Sequence, residues 1–175
     1  MAGGLGRRIR AALIDFGLVV LWVGVLAGVV VALRTAGIAL TLPPLQLQLL
    51  GSAAVRLPVV VGLTLTEGGR YEASPGKQSC GLRVRRLDGR PLGYLRALLR
   101  NLIKIVIPAV LAHASIVMLV TGQSGPDVVV LTAIALSLPL SYLLTVCFGE
   151  GRGPWDLLCD AHVITVTAGR RFAAD

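Results

Sequence analysis

Apolar residues in this chain fall into long unbroken runs rather than into alternation. Phe16 to Leu33 is one continuous apolar stretch. At about 1.5 Å rise per residue it suits the roughly 30 Å hydrocarbon core of a bilayer, once flanking residues are counted. A second run, Gln48 to Leu65, is interrupted by Arg56; a third, Leu102 to Val120, carries Lys104, Pro108 and His113; a fourth, Val128 to Phe148, contains Ser137, Pro139 and Ser141. Backbone polar groups in lipid must be satisfied within the segment, so each run predicts a helix, kinked at Pro108 and Pro139. The pattern gives an all-α membrane protein with helices over about 13–33, 48–66, 102–120 and 128–148, a loop over 67–101 and a tail over 149–175.

Composition agrees with lipid as part of the solvent. Of 175 residues 55% are hydrophobic and 15% charged, with a mean hydropathy of +0.79, whereas soluble domains carry about 25% charge. The formal charge is +8, and its distribution sets the orientation. Arg7, Arg8 and Arg10 precede the first run, and Arg34 alone follows it. Nine cations lie between Arg70 and Lys104, none between Thr121 and Asp127, and Arg152, Arg170 and Arg171 lie in the tail. This alternation predicts four spans with the loop and both termini in the cytoplasm of a bacterial inner membrane. The first run is longer than the apolar part of a cleaved leader and leads into Arg34, so no cleavage is expected. Cys80, Cys147 and Cys159 are expected as reduced thiols.

The loop carries its own order. Ser74-Pro75 reads as an N-cap with Pro at the first helical position, and Gly81 as the stop of a helix of two turns at most. Leu82-Arg83-Val84-Arg85 alternates apolar and basic residues up to the turn pair Asp88-Gly89. Val163 to Thr167 is a second strand candidate, and the two are expected to pair as a small ribbon that Pro91 keeps short. From Leu92 the period becomes helical, with Arg96, Arg100 and Lys104 four apart on one face. This predicts an interfacial amphipathic helix whose cations reach lipid phosphates. Arg83, Arg85, Arg86, Arg96 and Lys104 are the expected headgroup contacts, with an anionic leaflet as partner.

Several segments together resemble one family. Arg8-x-x-Ala11-x-x-Ile14-Asp15 opens the first helix, followed by Ser-Pro-Gly-Lys at 74–77, Gly81-Leu-Arg-Val84, Asp88-Gly89 and Leu98-Leu-Arg-Asn101. Trp155-Asp156-Leu-Leu158 then leads to Val163-Ile164. In this order and spacing they are similar to the RDD family of bacterial membrane proteins, named for an arginine and two aspartates. The resemblance places the arginine on Arg8, with Arg10 close by, and the aspartates on Asp15 and Asp156. Cys159, Asp160, Ala161 and His162 depart from the small residues and Thr usual after the second aspartate. Membership implies a membrane protein without a general activity, sometimes proposed to move ions or small solutes.

Asp15 sits about a turn inside the first helix, where a carboxylate needs a partner. Arg8 is two turns earlier on the same face. With Arg100 and Asp156 on the same membrane side, the expectation is a charge cluster of Arg8, Asp15, Arg100 and Asp156, with Asn101 adding hydrogen bonds. Such a cluster either locks helix ends together or handles ions. Arg56 either faces the bundle at mid-membrane, near Asp15 and His113, or lies toward the outer interface.

No enzyme motif is present and no cofactor is expected. Gly76-Lys77 lacks the first Gly and the Ser or Thr of a phosphate loop. Cys159 and His162 lack a second ligand pair, so no metal site is expected. The basic loop has only Tyr71 and Tyr94 among its cations, which argues against nucleic acid. Two classes remain: a non-catalytic accessory or scaffold subunit that packs on other membrane proteins or on itself, or a small cation, proton or solute transporter using Asp15 and Asp156. Too few helices, no internal repeat and no acid at mid-membrane favour the first.

Overall fold

The computed structural model describes residues 3–38, 41–123, 125–148 and 152–165. It is mostly helical. Helix α1 (Gly3–Thr35) and helix α2 (Pro44–Gly68) precede a short helix α3 (Pro75–Ser79) and strand β1 (Leu82–Arg86). Helix α4 (Tyr94–Asn101) passes through a π-helical turn (Leu102–Val106) into α5 (Ile107–Val120); α6 (Pro126–Phe148), α7 (Pro154–Leu158) and strand β2 (Ala161–Thr165) complete the order. Three stretches among the described residues are long and apolar enough to cross a membrane: Gly4–Thr35, Leu45–Gly68 and Tyr94–Val120. Helix α6, 23 residues long, packs along α5.

The helices begin earlier than the apolar runs. α1 starts at Gly3 rather than near residue 13, because the polar turn around Arg7, Arg8 and Arg10 continues the helix beyond its apolar part. The third span starts at Tyr94, so the expected interfacial helix and the expected span at 102 are one helix with a π turn inside it. That turn precedes Pro108. Proline has no N–H for the carbonyl four residues back, and one wider turn accommodates the mismatch: the Ile107 N–H goes to the Leu102 carbonyl. In α2, Pro58 leaves the Ala54 carbonyl without its helical donor. Trp22 Nε1 on α1 supplies the bond at 3.1 Å, tying the two helices together at that depth.

α3 begins as the sequence predicts. Ser74 is its N-cap, accepting from the Lys77 N–H, with Pro75 in the first turn. Gly81, at φ +66, ends this segment in the left-handed conformation that glycine tolerates best. β1 and β2 pair antiparallel in the register Leu82 with Thr165, Val84 with Val163 and Arg86 with Ala161. The expected strand end at 166–167, like Arg170 and Arg171, lies outside the described residues. Under the ribbon, Val84, Leu92, Ala97, Cys159 and Ala161 form a small buried core with Val163 against it.

α1 differs from the other long helices in how little of it is covered. Its half-buried positions Asp15, Val19, Trp22, Leu26 and Leu33 form one stripe, which continues down to Arg8, Ala11 and Ala12. Gly17, Gly24 and Gly28 lie on the opposite face.

Candidate functional site

Where the loop-side ends of the helices converge, a carboxylate that closes α2 gathers two cations. Glu67 is fully buried, and its Oε2 accepts from Arg100 Nη1 at 2.7 Å. Its Oε1 is paired with Lys77 Nζ. Asn101 Nδ2 donates to Oε2 at 3.4 Å. Arg100 in turn donates from Nε to Asp156 Oδ1 at 2.5 Å, and both side chains are 1% exposed. Asp156 Oδ2 accepts the Gly153 N–H at 2.9 Å, which closes the first turn of α7. One guanidinium therefore binds carboxylates from α2 and α7, while Lys77 adds α3. Buried charges hold this way only when each has a partner, since an unpaired one costs several kcal/mol, of order 3–5, to leave behind. Thr64 Oγ1 and Asn101 Oδ1, also buried here, have no hydrogen-bond partner among the described residues.

Backbone shape permits the approach. A Cβ on Gly68 would come 2.7 Å from the Tyr94 Cα, so this glycine lets α2 close on the start of α4 and brings Glu67 to Arg100. A Cβ on Gly153 would lie 2.8 Å from the Trp155 ring, which is itself buried beside Asp156.

Asp15 lies elsewhere. Its carboxylate caps α3, accepting from Ser74 Oγ at 2.5 Å and from the Gly76 N–H at 2.8 Å. Gly76 is required: a side chain there would overlap the Ala11 carbonyl oxygen and come 2.9 Å from the Asp15 carboxyl carbon. Arg8 donates from Nη2 to the Val163 carbonyl at 3.0 Å, fastening the start of α1 to β2. Of the five residues expected in one cluster, the structure thus brings Arg100, Asn101 and Asp156 together. It places Asp15 on α3 and Arg8 beside the ribbon. Arg8, Asp15, Lys77 and Lys104 nevertheless share the wall of a cavity of about 200 Å³.

The cations expected at headgroups have protein partners. Arg85 grips Glu72 through Nε at 2.8 Å and Nη2 at 3.2 Å, with Arg83 on the same carboxylate at 3.4 Å. Arg86 pairs with Asp88 at 2.9 Å and Arg96 with Asp160 at 3.5 Å. Lys104, four residues beyond the buried Arg100, lines the cavity. Arg56 is half-buried between helices, donating to Ser52 Oγ and, at 3.2 Å, to the Ala109 carbonyl of α5. Of the two placements open from the sequence, Arg56 thus packs against a neighbouring helix, with Ser52 and Ala109 rather than Asp15 as its partners. His113 is half-buried on α5.

Glu67, Glu72 and Lys77 are the residues that sequence reasoning missed as site members. Glu67 follows the second apolar run by two positions, where the apolar pattern places the start of the loop. An acid at that point, facing a loop with eight cations, is the available signal. Burial raises the Cys159 thiol above its ordinary range, with Asp156 adding to the effect and Arg100 and Arg96 opposing it. Among the described residues no group of three metal-ligating side chains is placed to hold an ion.

Compared with known families, the chain matches the RDD family over residues 2–160. No curated protein matches it, and no solved structure does.

Proposed function

Because the chain belongs to the RDD family, a family of membrane proteins, we propose that it is a non-catalytic accessory or scaffold subunit of a bacterial inner membrane. In this reading four helices span the bilayer, and the basic loop and both ends lie in the cytoplasm, where cations concentrate. The helix-end charges lock the protomer, and α1 offers its uncovered face to another membrane protein or to a second copy.

One observation carries this reading. A Cβ on Gly17, Gly24 or Gly28 would meet no atom within 4 Å, and the three share the α1 face turned away from α2. Small residues along one face of a membrane helix let a second backbone approach closely, and Gly24 and Gly28 have the four-residue spacing that does so. The acids at the helix ends support the same reading. Glu67 is held by Arg100 and Lys77 together, Asp156 by Arg100 and a backbone N–H, and Asp15 by the start of α3. Carboxylates with all their partners inside the protein suit a staple better than an ion carrier, which must release and rebind its load.

The test combines two assays. Solubilised from native membranes in mild detergent, the protein should co-purify stoichiometrically with another membrane protein or as an oligomer of itself. In liposomes it should give no cation-driven proton flux. Flux that disappears in Asp15→Asn would replace this reading by transport.

A further inference from the structure

Arg56 is the middle residue of α2 (Pro44–Gly68), and it bonds to Ala109, near the middle of the span Tyr94–Val120. Two helices thus place it independently at the depth of the bilayer centre. Its partners there are neutral. Nη1 donates to Ser52 Oγ, one turn away, and Nη2 to the Ala109 carbonyl at 3.2 Å. Among the described residues no carboxylate pairs with it: Glu67, Glu72, Asp88, Asp156 and Asp160 are held by other cations. A guanidinium keeps its charge when buried and has five N–H donors, of which these bonds use two. A hydroxyl and a carbonyl do not neutralise it, and a lone cation at mid-membrane is costly. The residue is only half-buried, so it reaches the outside of the bundle. The missing anion is not supplied by these 175 residues. None of the nine acids lies within the four apolar runs; Asp15 and Asp127 stand just before two of them. Asp15 is besides held by Ser74 and Gly76. A second copy therefore brings no carboxylate to this depth either.

We propose, resting on the accessory role above, that Arg56 docks a membrane helix of a different protein, one that carries an aspartate or glutamate near the middle of its span. A carboxylate accepts two parallel N–H bonds from one guanidinium. No water competes at this depth, and each charge removes the cost of burying the other. The pair also selects. A helix lacking the acid leaves the guanidinium unpaired, and one with a base there is repelled. Lipid phosphates lie at the edge of the hydrocarbon core, about 15 Å from its centre, away from the depth at which Ser52 and Ala109 hold this side chain. The contact lies on α2 and α5, apart from the glycine face of α1, which is turned away from α2.

The full chain is purified from native membranes in mild detergent, and the membrane protein recovered with it at fixed stoichiometry is identified. That protein should carry an aspartate or glutamate in mid-span. Arg56→Gln should lower its recovery about tenfold, as loss of a charge-assisted hydrogen bond predicts, and Arg56→Lys should lower it less. Exchanging the partner's acid for its amide should lower recovery equally with this chain unchanged, so the test stands even if Arg56→Gln fails to fold. Arg56→Glu should abolish recovery, and an arginine in place of the partner's acid should restore it. Recovery indifferent to Arg56→Gln, a partner with no acid inside its spans, or a chain recovered only with copies of itself overturns the proposal and leaves the accessory role standing. A chain that comes out alone removes both.

Discussion

Glu67 and Arg100, 33 positions apart in the chain, meet at 2.7 Å with both side chains shut off from the surface. The contact joins the end of α2 to the last turn of α4. Through Asp156 and Lys77 it extends to α7 and α3. Four segments with little apolar core in common are thereby held by charges that no water screens.

Removing one member should therefore cost more than removing a surface ion pair. Arg100→Ala leaves Glu67 and Asp156 without their shared cation and is expected to destabilise by about 3–5 kcal/mol. Glu67→Gln leaves Lys77 and Arg100 facing each other and should cost nearly as much. Thermal unfolding in detergent, run as a double-mutant cycle, should give a double variant far less destabilised than the sum of the singles. Additive losses would mean that the two residues act separately.

Gly76 sets how closely α3 can lie on α1. Gly76→Ala places a methyl against the Ala11 carbonyl, which is backbone and cannot rotate away. A loss of about 1–3 kcal/mol is expected. Asp15→Asn, which keeps an acceptor for the Gly76 N–H, should cost less. Melting curves of the two variants check the order; a harmless Gly76→Ala would contradict the contact.

The Cys159 thiol gives a pH dependence. Burial raises its pKa above the ordinary 9.0, so the unfolded chain gives up this proton first. Stability from this group is complete below about pH 8.5 and falls as pH rises through the ordinary thiol range toward the folded value, by at most about 1.4 kcal/mol per pH unit. Comparing melting temperatures at pH 7 and in this higher range, the wild type should lose more than Cys159→Ala. Equal losses would remove the effect.

Three apolar helices, the α3 cap and the ribbon were legible because each depends on local pattern: long apolar runs, Ser74 before Pro75, and β-branched residues near the chain's end. The site was legible only in part. Arg100, Asn101 and Asp156 stood out as polar residues at helix ends. Glu67 did not, since its role depends on how far α2 continues past Leu65, and helix ends are poorly marked by composition. Asp15 looked like an arginine's partner by helical spacing, yet a chain reversal brings Ser74 and Gly76 to it. Spacing along one helix cannot show a segment that folds back onto it from some sixty residues away.

The proposed role of α1 as a contact helix is tested most directly by cysteine cross-linking in native membranes. Cysteines placed at Gly24 and Gly28, on the uncovered face, should each give a discrete higher-mass product with a neighbouring membrane protein or a second copy. A cysteine at Leu26, on the face turned to α2, should not. If positions 24 and 28 give only the uncross-linked chain while the variants remain folded in the membrane, α1 has no protein partner there and the scaffold reading fails.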